Sequence, residues 1–325
     1  MNRDLATRAA TQGGLILTAD ALAAGYNYRA ISRELATKRW HHVRRGAYVP
    51  MEHWQQASET QRHLLLARAV QMQAASPLPL THTTGCAALG IDLFRPDLRR
   101  VQVTHLVSAR SRVEYDVSHH DGPLDLDECV RIDGMLIGPP VRVVGGAILV
   151  SNAEQAIVLG DAALRTGHAT VEGLEALAVE WMRVPQSRSL RWAIPRLDGR
   201  AATVGESLGR VEMRRRLLPR PELQFEIRDG SFVAYTDFGW PEFGVVGEFD
   251  GKGKYLRDLR PGDDPGEVVF REKVREDRIR ALGWTVVRFT WADLFAFDPI
   301  AARIGRALNG TPALAVGRGA TSAHY

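Results

Sequence analysis

The feature that most constrains this chain is a pair of short apolar runs that both end in charged side chains. Asp237 ends the first run, Glu248 and Asp250 end the second, and Lys252 and Lys254 follow directly. Side chains alternate between the two faces of a strand, so Glu248 and Asp250 share a face. Two such strands side by side would bring three carboxylates and two ammonium groups to one end of a sheet.

Clustered carboxylates repel one another, and they stay ionised together only beside a cation. Oxygen ligands of this kind suit Mg²⁺ or Mn²⁺, and a neighbouring lysine can hold a phosphate. These are the groups that metal-dependent phosphodiester hydrolysis requires. The alternative is an ordinary β-hairpin, because Asp-Gly is a common turn and its lysines would then be solvated.

The sequence on either side favours the hydrolytic interpretation. Residues 271–282 predict a charged helix that stops at Gly283, and Trp284–Thr290 is rich in the β-branched and aromatic residues of a strand. Upstream, Gly205–Leu218 predicts a helix and Leu223–Arg228 predicts a first strand. The predicted order of elements in residues 200–308 is therefore αβββαβ.

A family resemblance rests on five motifs of this region. They are Gly205-Glu206-Ser207, Leu218-Pro-Arg-Pro-Glu-Leu-Gln224, Asp237-Phe238, Glu248-Phe-Asp250-Gly251 with Lys254, and Glu272-Lys-Val-Arg-Glu-Asp277 running to Gly283-Trp284. In this combination, residues 200–297 resemble the very-short-patch-repair (Vsr) endonucleases, a branch of the restriction-endonuclease-like PD-(D/E)XK fold. The resemblance implies that Mg²⁺ or Mn²⁺ is bound by Asp237, Glu248 and Asp250, and that Glu206 is an accessory catalytic acid.

Two registers of this resemblance disagree on the catalytic lysine. The literal (D/E)-x-K pattern is Asp250-Gly251-Lys252, whereas the related alignment pairs Glu248 with Asp250 and places Lys254 at a catalytic position. Both lysines therefore remain candidates. The following helix alternates acids with arginines, which is typical of a solvated face. The resemblance singles out only Lys273 and Arg275 as residues near bound nucleic acid.

The first fifty residues predict a different kind of unit. The net charge of the 325-residue chain is +4, but residues 1–50 hold eight Lys or Arg against three acids. A localised basic segment is typical of a nucleic-acid-binding surface. Glycine stops and capping residues predict helices at Asn2–Gln12, Ala19–Ala24 and 27–37. A two-stranded wing follows at Trp40–Val49, which makes a winged helix-turn-helix.

In that arrangement the third helix enters the major groove of DNA. Side chains early in this helix are the candidates for contacts with bases, and later basic residues are better suited to phosphates, which fix position without reading sequence. The candidates for bases are Tyr28, Arg29, Ser32 and Arg33, and those for phosphates are Lys38, Arg39, Arg44 and Arg45. The alternative is a winged helix that binds protein.

This segment also resembles the antitoxin domain of AbiEi-type, type IV toxin–antitoxin systems. The matching residues are Gln12-Gly-Gly14, Thr18 with Ala23-Ala-Gly25, Arg39-Trp40 and Val43-Arg-Arg-Gly-Ala-Tyr-Val49. The resemblance implies a DNA-reading domain that often represses its own operon, and it makes a cognate toxin protein a candidate partner.

The remaining sequence is less informative. We expect a mixed α/β middle region over residues 51–199, with a strand pair at Pro139–Val150 and a linker at 185–203, and a disordered tail at 309–325. The four histidines His82, His105, His119 and His120 have no spacing typical of a metal site. Two distant cysteines, no signal peptide and no membrane-length apolar stretch predict a cytoplasmic protein without a membrane partner.

The sequence thus predicts a multidomain α+β and α/β protein in three parts. These are a winged helix-turn-helix at 1–50, a middle region at 51–199 and a restriction-endonuclease-like domain at 200–308. The predicted function is DNA binding with Mg²⁺-dependent endonuclease activity. The alternative is a transcriptional autorepressor or antitoxin whose nuclease-like domain does not cleave. RNA is a further candidate substrate, since the same metal chemistry serves both backbones.

Overall fold

The structure is a computed structural model that describes residues 2–106, 110–122, 124–251 and 265–310. The chain is mixed α and β, and it divides between Leu197 and Asp198 into two compact units. That division lies two residues before the boundary predicted at 199/200. Residues 1–50 and the middle region belong to the same unit.

The N-terminal unit begins with three short helices and a three-stranded antiparallel sheet in the order β1-β3-β2. Asn2 caps the first helix and Asn27 caps the third, each accepting a main-chain N–H. The bounds are α1 Arg3–Thr11, β1 Ile16–Leu17, α2 Thr18–Ala23, α3 Tyr28–Ala36, β2 Trp40–Arg44 and β3 Ala47–Pro50.

The core of this region continues beyond residue 50. One cluster joins the three helices through residues such as Leu5, Ile31 and Trp40. A second cluster packs Ala47 and Val49 of β3 against Leu65 and Ala69 of the next long helix. Residues 2–50 and the middle region therefore share a hydrophobic core.

The rest of the N-terminal unit consists of helices around two small sheets, β4-β6-β5 and β7-β8. Leu80 bridges to both β4 and β8. The bounds are α4 Met51–Gln56, α5 Glu59–Gln73, α6 His82–Ala88, β4 Val101–Thr104, β5 Arg112–Glu114, β6 Val117–His120, β7 Val130–Ile132, β8 Met135–Ile137, α7 Pro140–Val150, α8 Ala153–Arg165, α9 Val171–Glu180 and α10 Ser187–Ala193.

Two expectations for this region are wrong. Residues 140–150 form α7 rather than a strand pair, although the segment is rich in valine. Pro140 occupies the first turn, where its missing N–H costs nothing, and Gly145 and Gly146 give Leu177 and His82 room for close packing. The expected linker at 185–203 does contain the division between the two units, but its first half is wrong because it holds α10, whose Leu190 and Ala193 are buried.

The C-terminal unit is built on a four-stranded sheet in the order β12-β11-β10-β9. The first three strands form an antiparallel meander, and the last strand runs parallel to β11. The bounds are α11 Val204–Arg215, β9 Glu222–Asp229, β10 Phe232–Trp240, β11 Val245–Asp250, α12 Pro265–Ala281, β12 Thr285–Thr290, α13 Trp291–Leu294 and α14 Asp298–Gly310.

The order α11, three strands, α12 and β12 agrees with the αβββαβ order expected from the sequence. Two details differ. Asp237 does not end its strand, because β10 continues to Trp240. Residues 309 and 310 belong to α14 rather than to a disordered tail, and the rest of the expected tail lies outside the described residues.

Helices cover both faces of this sheet. On one face, Ile279 of α12 packs against Ile227, Val246 and Val286. On the other face, α11 approaches so closely that a Cβ at Gly205 would lie 2.0 Å from the ring of Phe249. Phe249 is 3% exposed, so its ring is enclosed by other parts of the protein.

Replacing Gly205 by alanine should therefore destabilise the C-terminal unit by ~1–3 kcal/mol, because a buried ring must move to accept the methyl group. Gly305→Ala is the matched control, since nothing lies within 4 Å of a Cβ at this position of α14. We expect the control to be neutral or stabilising by up to ~1 kcal/mol, as alanine favours helix. Urea denaturation of both variants tests the prediction, and equal stabilities would contradict it.

Candidate functional site

The carboxylate of Glu248 lies between two arginines. Its Oε1 accepts a hydrogen bond from Nη2 of Arg275 at 2.5 Å, and its Oε2 is 2.8 Å from Nη2 of Arg288. Glu248 is 7% exposed, whereas both arginines are partly buried. Both oxygens of this predicted metal ligand therefore already face guanidinium groups.

Two further acids extend this contact. Oε1 of Glu272 lies 2.7 Å from Nη2 of Arg275 and 2.8 Å from Nη2 of Arg288. Oε2 of Glu276 lies 3.0 Å from Nη2 of Arg288. We call these five residues the arginine–carboxylate network. It joins α12 to β11 and β12.

The sequence explains how these side chains meet. Glu272, Arg275 and Glu276 are three and four residues apart and share one side of α12. Arg288 is the direct neighbour of Glu248 in the parallel β11–β12 ladder. The hydrogen bond with Glu272 is the main cause that raises the pKa of the Arg275 guanidinium. Burial opposes ionisation of Glu272, but hydrogen bonds from Arg275 and the charge of Arg288 hold its pKa below the usual value.

Asp237 has a main-chain partner in the structure. The β10–β11 ladder ends at the pair Phe238 and Gly247. Beyond it, Oδ2 of Asp237 accepts the N–H of Phe249 at 2.8 Å. The carboxylate thus takes the place of a main-chain acceptor where the two strands separate.

Glu206 is fully buried at the start of α11. Its carboxylate accepts hydrogen bonds from the N–H of Ala202 at 2.8 Å, from Oγ1 of Thr203 at 2.9 Å and from Nε2 of Gln224 at 3.0 Å. A buried carboxylate needs several donors of this kind. With these hydrogen bonds, Glu206 helps to cap the N-terminus of α11.

The described residues do not form a metal-binding group around these acids. Within the ranges that the structure describes, no set of three or more His, Cys, Asp or Glu side chains is arranged to hold a metal ion. Asp250 is half-buried at the end of β11 and makes no hydrogen bond or ion pair with described residues. Lys252 and Lys254 lie outside the described residues.

The nucleic-acid candidates on α12 occupy different environments. Arg275 belongs to the arginine–carboxylate network and also donates to the carbonyl of Tyr235 at 3.1 Å. Lys273 is exposed and makes no ion pair within the described part of the chain.

The candidates for base contacts lie together on α3. Tyr28, Arg29, Ser32 and Arg33 are all exposed, and the Tyr28 side chain is 69% exposed. Ile31, between them, is buried in the core of the helices. Neither Arg29 nor Arg33 forms an ion pair with any described residue.

The candidates for phosphate contacts divide into two pairs. Lys38 and Arg45 are exposed and form no ion pair with described residues. In contrast, Arg39 makes two hydrogen bonds to Glu34, at 2.6 and 2.9 Å, and Arg44 lies 3.3 Å from Asp116. Acid partners thus already neutralise Arg39 and Arg44.

The structure also brings together side chains that the sequence analysis did not connect. Arg288 and Glu276 enter the network through the parallel register and the helical spacing. The rings of His82 and His120 stack with centroids 3.6 Å apart, and Nε2 of His105 lies 3.0 Å from Nδ1 of His119. Burial, followed by the charge of the neighbouring histidine, lowers the pKa of His82 well below its usual value, and it lowers that of His120 to about 4.

The known proteins to which this chain is similar have no stated activity. No family model matches the chain. Uncharacterized proteins from two strains of Mycobacterium tuberculosis are 26% identical to it over 231 residues, which cover 70% of this chain and 82% of each relative. Among the described residues, no helix has the length and apolar character needed to cross a membrane.

Replacing Glu248 by glutamine should lower the stability of the protein by ~3 kcal/mol, because two guanidinium groups lose the carboxylate between them. Asp277→Asn is the matched control, since Asp277 is exposed on the same helix and forms no ion pair with described residues. We expect the control to change stability by less than ~0.5 kcal/mol.

Thermal unfolding should be measured for both variants in EDTA and in Mg²⁺. The loss in Glu248→Gln should be the same in both buffers, because arginines rather than a metal ion neutralise this carboxylate. A loss that appears only in Mg²⁺ would contradict this explanation.

Proposed function

We propose that this protein binds double-stranded DNA in a sequence-specific manner by placing α3 in the major groove. The observation that carries the proposal is the exposed surface of Tyr28, Arg29, Ser32 and Arg33, whose two guanidinium groups have no acid partner among the described residues. Unpaired arginines on one helix are suited to bidentate contacts with guanine or phosphate. Ile31, on the inner face of α3, is buried in the hydrophobic core and holds the helix in place. The exposed side chains on the outer face therefore have a fixed backbone before DNA binds.

The surrounding elements support this placement. The order α1, β1, α2, α3, β2 and β3 is the order of a winged helix-turn-helix, in which the third helix is the recognition helix. Lys38 follows α3, and Arg45 lies at the turn of the β2–β3 wing. These exposed cations can contact phosphates on either side of the groove.

The proposed role is that of a transcriptional autorepressor or antitoxin, with a cognate toxin as protein partner. The arginine–carboxylate network supports this role. Both oxygens of Glu248 contact arginines, so this carboxylate is not free to bind the metal ion that cleavage would require. In this proposal the C-terminal unit is a binding module that retains a nuclease-like order of elements.

Arg29→Gln and Arg33→Gln should each weaken binding to a selected DNA site by about tenfold, as expected for the loss of a ~1–3 kcal/mol base contact. Arg100→Gln is the control, because Arg100 is exposed elsewhere on the same unit and forms no ion pair with described residues. The site would first be selected from random duplexes, and fluorescence anisotropy would then measure affinity over a salt series. Equal affinities for the wild type and both α3 variants would rule out α3 as the recognition helix.

A second candidate function is Mg²⁺-dependent endonuclease activity. It is favoured by the αβββαβ order and by the position of Asp237 and Glu248, which both lie at the end of the β10–β11 ladder. Asp250, without a described partner, ends the same strand. The described geometry does not itself fit a metal ion, so we derive no catalytic step from it.

If the protein is a nuclease, Asp237→Asn should abolish the nicking of supercoiled plasmid in Mg²⁺ or Mn²⁺. The asparagine keeps an oxygen that can accept the Phe249 N–H, so the fold should be retained, and circular dichroism checks this. Nicking that persists in the variant, or in EDTA, would assign the cleavage to a contaminant. Plasmid that stays intact with folded wild-type protein, together with selective DNA binding, supports the autorepressor.

A further inference from the structure

The N-terminal unit contains a cavity of about 490 Å³ between the end of α1, α5 and the β7–β8 hairpin. Its walls include Gln12, Arg68, Gln71 and Arg131. Arg68 also lines a second cavity, of about 350 Å³, together with Gly13 and Met135. Cavities of this size are typical of small-molecule sites.

Two guanidinium groups line the larger cavity, and the one acid whose charge acts on Arg68, Asp133, lines the second cavity and is not within ion-pair distance. Arg68 is half-buried, and its Nη1 donates to the carbonyl of Asp133 at 2.6 Å. Neither Arg68 nor Arg131 forms an ion pair with described residues. A guanidinium offers five N–H donors, and described residues accept from Arg68 in one hydrogen bond, the bond to Asp133. Two cations that make no ion pair with described residues favour an anionic occupant of the cavity that they share.

The two glutamines of the cavity differ in whether their side-chain amides are hydrogen-bonded to the protein. The amide of Gln71 is fully used, since it donates to the carbonyls of Leu78 and Leu136 and accepts the N–H of Leu136. Oε1 of Gln12 is buried and has no hydrogen-bond partner. A buried carbonyl oxygen without a donor is costly, so an occupant with an N–H or O–H group would be favoured.

We propose that this cavity binds a small organic anion, with its carboxylate or phosphate between Arg68 and Arg131 and a hydrogen-bond donor on Oε1 of Gln12. The hydrogen bonds already made by Gln71 keep the wall of the cavity in place.

The cavity is connected to the proposed DNA-reading helices. Nε2 of Gln12 donates to Oδ2 of Asp20 at 3.1 Å, and Asp20 lies on α2, which packs with α3 in one core. An occupant that fixes Gln12 would therefore bias the position of α2. This coupling rests on the proposed DNA-binding function, whereas the binding of the anion itself does not.

The experiment measures thermal unfolding of the full chain without DNA, in inorganic phosphate or succinate against chloride at equal ionic strength. We expect at least one of the two anions to raise the unfolding temperature of the wild type. Arg131→Gln and Arg68→Gln should each lose most of that rise. Arg131 is exposed, so its variant is expected to fold even if Arg68→Gln does not. The phosphate and succinate arms distinguish the two anion chemistries.

The matched control is the double variant Arg29→Gln with Arg33→Gln, which removes cations from α3 but leaves the cavity intact. It should keep the full rise in unfolding temperature. The proposal is overturned if neither anion stabilises the wild type, if Arg131→Gln retains the rise, or if only the α3 variant loses it. The last outcome would place the anion on the DNA-binding surface. Because DNA is absent, a failure here is distinct from a failure of the proposed function.

Discussion

The C-terminal unit depends on the neutralisation of one buried carboxylate. Glu248 lies inside a sheet covered by helices on both faces, and a charge in that position must be paired. Arg275 approaches it from α12 and Arg288 from β12, so a single carboxylate links three elements. Glu272 and Glu276 then orient the two guanidinium groups. The parallel strand is thereby held to the meander by ion pairs as well as by its main-chain ladder.

In the N-terminal unit the fold depends instead on the burial of apolar side chains between the small sheet and α5. The three-stranded sheet is too small to bury its own inner face, and Leu65 and Ala69 of α5 complete that core. Residues 2–50 therefore do not form an independent domain. A fragment that ended near residue 50 would expose Ala47 and Val49 and would lose part of its core. Arg29 and Arg33, which form no ion pair within the described part of the chain, lie on the side of α3 opposite Ile31 and are unaffected by this shared core.

Local signals in the sequence predicted much of this fold. Glycine stops predicted the helices of the first fifty residues. The alternation of Val245–Asp250, with the charged helix and the β-branched run that follow it, predicted the order αβββαβ. The sequence could not show that α7 is a helix, because close packing at Gly145 and Gly146 outweighs the β-propensity of its valines. For the acids, it placed Asp237 and Glu248 on neighbouring strands, as the structure does, but it did not predict the arginines beside Glu248 or the main-chain N–H beside Asp237. Arg288 could have been found by counting the parallel register from Glu248, whereas the bond from Phe249 to Asp237 depends on the separation of two strands.

The register that places Arg288 beside Glu248 also has an evolutionary consequence. Loss of Glu248 alone removes the carboxylate that both guanidinium groups share, and loss of Arg288 alone leaves that carboxylate with Arg275 only, so drift at the two positions is coupled. Descendants of this sequence should keep both charges, exchange them, or replace both with apolar residues in close succession. Although the two residues are forty positions apart in the chain, their substitutions would then occur together, as if the two residues were one site.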